Sequence, residues 1–300
     1  MKITRLLLLT FLVGQATACE QEVSQSPANI FQPQLMAIVV ENLEQSLDWY
    51  TQVLEGTLEK PVDSFPDYGL RIAFLQVGDF HLELIESTAA IQPADLLPNT
   101  DAYLGGWFKV GFMLSDIKAK YDQLKTIEAL DFVTGIGELP ATNLSISWPT
   151  QFFLLKDPDG NYVQFFDGGV GEEPTPWLFM NTVKDLPKAI SWYTQHLGFT
   201  HHETLGDPGN RRAILAHDNF VLELFEPATV VTHAIPGDSM AIGFTKLAFG
   251  LNTFDTLTTN LQRENIPIVY GPEVSDSPWA SQYIIVKDME ANWVQLFDIK

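Results

Sequence analysis

Leu35 to Val40 reads as a short strand, after which the spacing of apolar positions changes. Leu43, Leu47, Tyr50 and Leu54 fall at helical spacing behind Asn42, a residue suited to capping a helix start, and Gly56 predicts the helix end. Gly69 to Val77 and Phe80 to Glu86 then read as strands joined by Gly78-Asp79, a two-residue hairpin turn. That turn sets Phe74 opposite Glu83 and Gln76 opposite His81. The plan returns with strand Phe108 to Leu114, a helix from Asp116 through Ile117, Tyr121 and Leu124, and strands Gln151 to Leu155 and Tyr162 to Asp167. A further helix carries Leu186, Ile190, Tyr193 and Leu197 and stops at Gly198, and a fourth unit includes strand Thr245 to Leu251. The pattern predicts an α+β fold: strand, helix and three strands, four times over.

The second half of the chain repeats the first. Asp48-Trp49-Tyr50-Thr51-Gln52-Val53-Leu54 recurs as Ser191-Trp192-Tyr193-Thr194-Gln195-His196-Leu197. His81-Leu82-Glu83-Leu84-Ile85-Glu86 recurs as Val221-Leu222-Glu223-Leu224-Phe225-Glu226. Tyr162-Val163-Gln164-Phe165-Phe166-Asp167 recurs as Trp293-Val294-Gln295-Leu296-Phe297-Asp298. The spacing between copies shrinks along the chain, which places short deletions in the loops of the second. The division predicted is a first domain over 35–168, a linker over 169–176 and a second domain over 177–300.

The segment before the repeats reads as an address. Lys2 and Arg5 precede the apolar run Leu6 to Gly14, too short to span a bilayer but suited to a signal peptide, and Ala16-Thr17-Ala18 offers small residues for cleavage. Cys19, the chain's single cysteine, follows directly, so 1–18 resembles a bacterial lipoprotein signal with Cys19 as the lipidated residue. Residues 19–34 read as a tether. The expectation is export to the periplasmic face of the cell envelope, with membrane attachment only through lipid on Cys19. The alternative is secretion by cleavage after Ala18.

Charge narrows the partners. With 17 Lys and Arg against 38 Asp and Glu, the formal net charge is -21, which excludes nucleic acid as a partner held by phosphate neutralisation. One cysteine excludes an internal disulfide or a Cys-rich metal cluster. A small-molecule ligand remains, with room for a homodimer.

Val40-Glu41-Asn42-Leu43 and Val183-Lys184-Asp185-Leu186, the pairs Trp49-Tyr50 and Trp192-Tyr193, Leu197-Gly198-Phe199 and the turn Lys156-Asp157-Pro158-Asp159-Gly160-Asn161 occur in a shared order. On these residues the chain resembles the vicinal oxygen chelate superfamily, which includes glyoxalase I, bleomycin resistance proteins and extradiol dioxygenases. The resemblance covers most of 35–299 and implies tandem βαβββ modules pairing into two open, mostly antiparallel β-cups with helices outside. In the second copy the turn reads Asp288-Met289-Glu290-Ala291-Asn292, with Ala291 where Gly160 stands. If that position needs a positive φ, Ala291 costs about 1 kcal/mol or forces another geometry.

Metal-using relatives hold a divalent ion in a cup with His, Gln and Glu side chains. The resemblance puts the corresponding positions at Leu35, Glu83, Lys109 and Gln164 and at Leu178, Glu223, Lys246 and Gln295. Leucine cannot ligate and a charged lysine has no lone pair, so no metal or other cofactor is expected, with a divalent ion as the alternative. Alternation sends Lys109 with Gly111 and Met113, and Lys246 with Ala248 and Gly250, toward the cup. Each lysine could pair with a glutamate in the space of the missing ion. Whether modules pair within a copy or across copies stays open, and so does which Glu meets which Lys.

The candidate ligand-binding residues are therefore Glu83, Lys109, Gln164, Glu223, Lys246 and Gln295, joined by His81, Trp148 and Trp279. His81 lies two residues from Glu83 on one strand, so an irregular metal or general-base site in the first copy is conceivable; the other reading is a hydrogen-bonded strand histidine. Trp148 and Trp279 occupy equivalent places and either line the open side of a cup or plug it. No nucleophile triad or phosphate loop is present, and no catalytic residue is assigned. The first expectation is a metal-independent small-molecule binder. The alternatives are a lyase, isomerase or dioxygenase with an unusual first-copy site, and a non-enzymatic interaction protein of the envelope.

Overall fold

The computed structural model describes residues 30–99, 102–139, 148–232, 240–275 and 280–299. The signal segment, Cys19 and Trp279 lie outside the described residues. No helix among the described residues is long and apolar enough to cross a membrane.

The first module comprises β1 (Phe31–Val40), α1 (Leu43–Leu54), β2 (Thr57–Leu58), β3 (Asp63–Phe65), β4 (Leu70–Val77) and β5 (Phe80–Ser87). An arm follows, with β6 (Ala90–Ile91), the single turn α2 (Pro93–Leu96) and β7 (Tyr103–Leu104). The second module is β8 (Gly106–Met113), α3 (Ile117–Leu124), β9 (Asp131–Glu138), β10 (Gln151–Lys156) and β11 (Tyr162–Phe166). The third is β12 (Thr175–Thr182), α4 (Leu186–Leu197), β13 (Thr200–Leu205), β14 (Asn210–His217) and β15 (Phe220–Pro227), with an arm of β16 (Val230–Val231) and β17 (Met240–Ala241). The fourth is β18 (Gly243–Leu251), α5 (Phe254–Arg263), β19 (Ile268–Val274), β20 (Ala280–Lys287) and β21 (Trp293–Ile299).

Modules pair across the copies. One sheet runs β19-β20-β21-β18-β1-β5-β4-β2, with β3 also on β4, and joins the first module to the fourth. The other runs β13-β14-β15-β12-β8-β11-β10-β9 and joins the third to the second. The seams β1–β18 and β12–β8 are antiparallel. The arms also exchange partners, β7 with β16 and β6 with β17. Each curved sheet is thus shared by both repeats, while its helices cover the convex face. There Tyr50, Tyr193, Phe112, Phe165, Phe179 and Phe249 bury in a core common to both sheets.

Local sequence explains most element ends. Asn42 accepts from Gln45 N at 2.9 Å and Asp185 from Lys188 N at 3.2 Å, capping α1 and α4. The Gly78-Asp79 turn gives the expected register, Phe74 against Glu83 and Gln76 against His81. Three boundaries differ from the sequence reading. Strand β1 begins at Phe31, inside the stretch read as tether, because Phe31 stacks on Phe249 with ring centroids 4.7 Å apart and is buried. Strand β12 begins at Thr175, inside the stretch read as linker, where Thr175 pairs with Met113. At the end of α1 the left-handed position is Glu55 (φ 59°) rather than Gly56, and the Glu55 carboxylate takes a 2.6 Å hydrogen bond from Lys120. Ala291 keeps the geometry of its counterpart, with φ 66° against 85° at Gly160, so it carries the αL cost rather than changing the turn.

One buried latch in each copy ties the two sheets together. Tyr50 of α1 donates to Asp157 Oδ2 at 2.7 Å, linking the first module to the β10–β11 turn. Tyr193 of α4 donates to Asp288 Oδ2 at 2.7 Å, linking the third to the β20–β21 turn. Beside them Asp159 accepts from Glu41 N and Ser46 Oγ, and Glu290 from Lys184 N. Burial pushes the carboxyls of Asp157, Asp288 and Glu290 upward and that of Asp159 up to about 6.

These four acids bind their protons more tightly in the folded chain, so each adds stability as pH falls through its raised value, which for Asp159 runs from about 7 toward 5. His217, held neutral by burial, opposes them over the same range. Glu44, Glu55, Asp167 and Asp185, all shifted downward, oppose them only nearer their ordinary values of 4.5 and 3.8. The thermal midpoint should be higher at about pH 5.5 than at about pH 7.5, and Asp159→Asn should reduce the difference. A midpoint that falls on acidification over this window would contradict the assignment.

Candidate functional site

Strand register gathers the predicted residues into two equivalent rows. In the first cup Glu83, Ala37, Lys246, Trp293 and Lys287 stand in line across β5, β1, β18, β21 and β20. In the second, Glu223, Met180, Lys109, Tyr162 and Lys156 stand in line across β15, β12, β8, β11 and β10. Cross-copy pairing therefore matches Lys246 with Glu83 and Lys109 with Glu223.

The two ion pairs differ because the strand between their partners differs. Glu83 and Lys246 have one strand between them, hence about 10 Å between Cα atoms, a gap that a lysine stem can cross. The intervening residue is Ala37, and Lys246 Nζ lies 2.6 Å from Glu83 Oε2, with both side chains buried. No aligned hydrogen bond reaches Glu83 Oε2, so the contact is Coulombic. In the second cup Met180 intervenes and Lys109 Nζ stands 3.4 Å from Glu223 Oε2. Arg212 supplies the closer contact there, Nη1 to Glu223 Oε1 at 3.0 Å, with its guanidinium 5.0 Å from the centre of the Phe225 ring. Sequence reasoning missed Arg212 because Ile72 holds the equivalent position in the first copy.

The glutamines fall on the same faces. Gln295 pairs with Ala248 and Ile285, and Gln164 with Gly111 and Leu154. Both amide oxygens are buried without a hydrogen-bond partner. An orphan acceptor in the same place in each cup is unusual, since buried polar atoms are ordinarily satisfied.

His81 is buried beside β1, and its Nδ1 contacts Glu59 Oε1. That contact favours the hydrogen-bonded strand histidine over an open general base, and the sequence offered no signal for it. Trp148 packs edge-on against Trp177, ring centroids 5.3 Å apart, beside Phe152 and Phe166. It packs against the inner apolar cluster of the second cup and stays partly exposed.

Neither cup suits a divalent ion. Each offers a leucine, a glutamate, a lysine and an amide, and the ammonium that approaches the glutamate would repel a second cation. Among the described residues no cluster of three or more His, Cys, Asp or Glu is placed to hold a metal.

A cavity of about 1450 Å³ opens from the first cup toward the mouth of the second. Ala37, Ile85, Lys246 and Trp293 line it at one end and Phe108 and Tyr162 at the other, with Met240 and Ala241 of the arm above. Its rim carboxylates Asp159 and Glu290 accept backbone N–H groups, and Asp185 caps α4 while pairing with Lys188 at 2.7 Å.

The pattern of the glyoxalase/bleomycin resistance protein/dioxygenase superfamily matches residues 32–165 and 179–296. The chain belongs to this superfamily. Among solved structures it resembles glyoxalase I from Zea mays, at 19% identity and a TM-score of 0.63, covering 90% of this chain and 93% of that one. It also resembles the cppA protein of Streptococcus pneumoniae, at 9% identity and a TM-score of 0.52, covering 89% and 97%. At such identities the likeness establishes the fold. No curated protein matches in sequence. The superfamily assignment and the two large sheets agree with the tandem βαβββ organisation and open cups expected from the motifs.

Proposed function

We propose that this superfamily member binds a small molecule in the cavity at its first cup and does so without a metal ion. The observation that carries this reading is the buried Lys246–Glu83 pair at 2.6 Å, reached by a cavity of about 1450 Å³. The cavity is ample for a ligand of drug size. The lysine brings positive charge to the ligand-facing floor of the cup, and its pairing with Glu83 keeps that charge in place. The amino-terminal pattern supports export and lipid attachment at Cys19, which would present the cups at the envelope surface.

A ligand-detected NMR screen of a small-molecule library against the purified protein in EDTA tests this directly. Compounds that bind in EDTA, quench tryptophan emission and bind no better after manganese or zinc is added are the expected result. A screen in which compounds bind only once a metal is supplied, or none binds at all, would overturn it.

A further inference from the structure

Each row places an aromatic ring between two lysines, but the rings are used differently. The second cup has Lys109, Tyr162 and Lys156 in neighbouring strands. Phe108 packs on Tyr162 with ring centroids 5.1 Å apart, and Lys156 Nζ lies 5.2 Å from the Tyr162 ring centre. Phe108 can do this because it is the extra residue of a strand irregularity. The register passes from Asn181–Trp107 to Met180–Lys109, just after Gly106 at φ 133°.

The first cup has the same irregularity with a smaller side chain. Register passes from Ile38–Phe244 to Ala37–Lys246, just after Gly243 at φ 121°, and the extra residue is Thr245. No phenyl group therefore covers Trp293, which makes no ring contact among the described residues although it lines the cavity. Lys287, the counterpart of Lys156, makes no ion pair or ring contact among them. The nearby carboxylates Asp159, Asp185 and Glu290 already accept backbone donors.

From this we infer that the first cup takes a planar aromatic carboxylate, its ring against Trp293 where the second cup keeps Phe108, and its carboxylate toward Lys287 and Lys246. The inference rests on the small-molecule reading above and adds the chemical class. An indole face with no ring neighbour among the described residues supplies stacking area, and an ammonium in the same row supplies a charge-assisted hydrogen bond. Local positive charge at this wall also lets an anion approach a chain whose formal net charge is -21.

Calorimetric titration with naphthoate and with its uncharged analogue naphthalenemethanol tests the class. Naphthoate should bind about tenfold more tightly than the alcohol, and K287Q should remove most of that difference while leaving the alcohol's affinity unchanged. T245F, which supplies the missing phenyl group, should weaken both probes. Equal affinity for acid and alcohol, no effect of K287Q, or naphthoate binding unaffected by T245F would overturn the inference. In those cases compounds from the library screen would still bind and the broader reading would stand. If neither naphthyl probe binds while other library compounds do, the inference again fails alone; if the library also yields nothing, both fail.

Discussion

Replacing Lys246 by methionine should destabilise the protein by about 3–5 kcal/mol, because it leaves a buried carboxylate without its counter-charge. Lys246 Nζ lies 2.6 Å from Glu83 Oε2, and both side chains are almost wholly enclosed. The remaining Glu83 would face Leu35, Ala37, Phe74 and Ile85, an apolar surface that stabilises no charge. One further result distinguishes this cause from simple loss of packing. Removing both charges in E83L/K246M should restore stability to about the wild-type level, since apolar replacements of a buried pair are commonly neutral or better. A single substitution costing under about 1 kcal/mol would show that the pair is solvated or loosely held. The equivalent change in the second cup should cost less, because Arg212 would still neutralise Glu223.

The second large effect is expected at Asp288. Its carboxylate receives five hydrogen bonds: from Tyr193 OH, Asn181 Nδ2 and Asn292 Nδ2 on one oxygen, and from the backbone N–H groups of Glu290 and Asn292 on the other. Asp288→Ala leaves several of those donors buried and unpaired, at about 4 kcal/mol of stability in urea unfolding. Asp157→Ala should cost less, because Ile38 stands where Asn181 serves Asp288, and among the described residues Asp157 accepts from Tyr50, Asn161 and the Asp159 and Asn161 N–H groups alone. Both latches join a helix on one sheet to a turn on the other, so their loss should lower the cooperativity of unfolding as well as its midpoint. A loss below about 1 kcal/mol at Asp288 would mean that water replaces the carboxylate in that turn.

Much of this architecture could be read from the chain because its determinants are local. The Gly78-Asp79 turn fixes which residues face each other across β4 and β5, and alternation on β8 and β18 turns Lys109 and Lys246 into the cups. The partner of each lysine was beyond reach, since it depends on β1 pairing with β18 and β12 with β8, contacts between segments far apart in the chain. Glu59 beside His81 and Arg212 beside Glu223 were missed for a related reason. Each acts at a position where its counterpart in the other copy has a different residue, so the repeat gives no signal. Phe31 reads as tether because its ring meets Phe249 only after the sheet has closed.

The central claim is that the first cup holds its ligand without a metal, with the lysine–glutamate pair in the floor. Calorimetric titration of the EDTA-treated protein with the tightest-binding compound from the library screen, repeated after one equivalent of manganese or zinc is added, tests it most directly. The account predicts saturable binding in EDTA and an unchanged Kd after metal addition. Binding that appears only once the metal is added would contradict it.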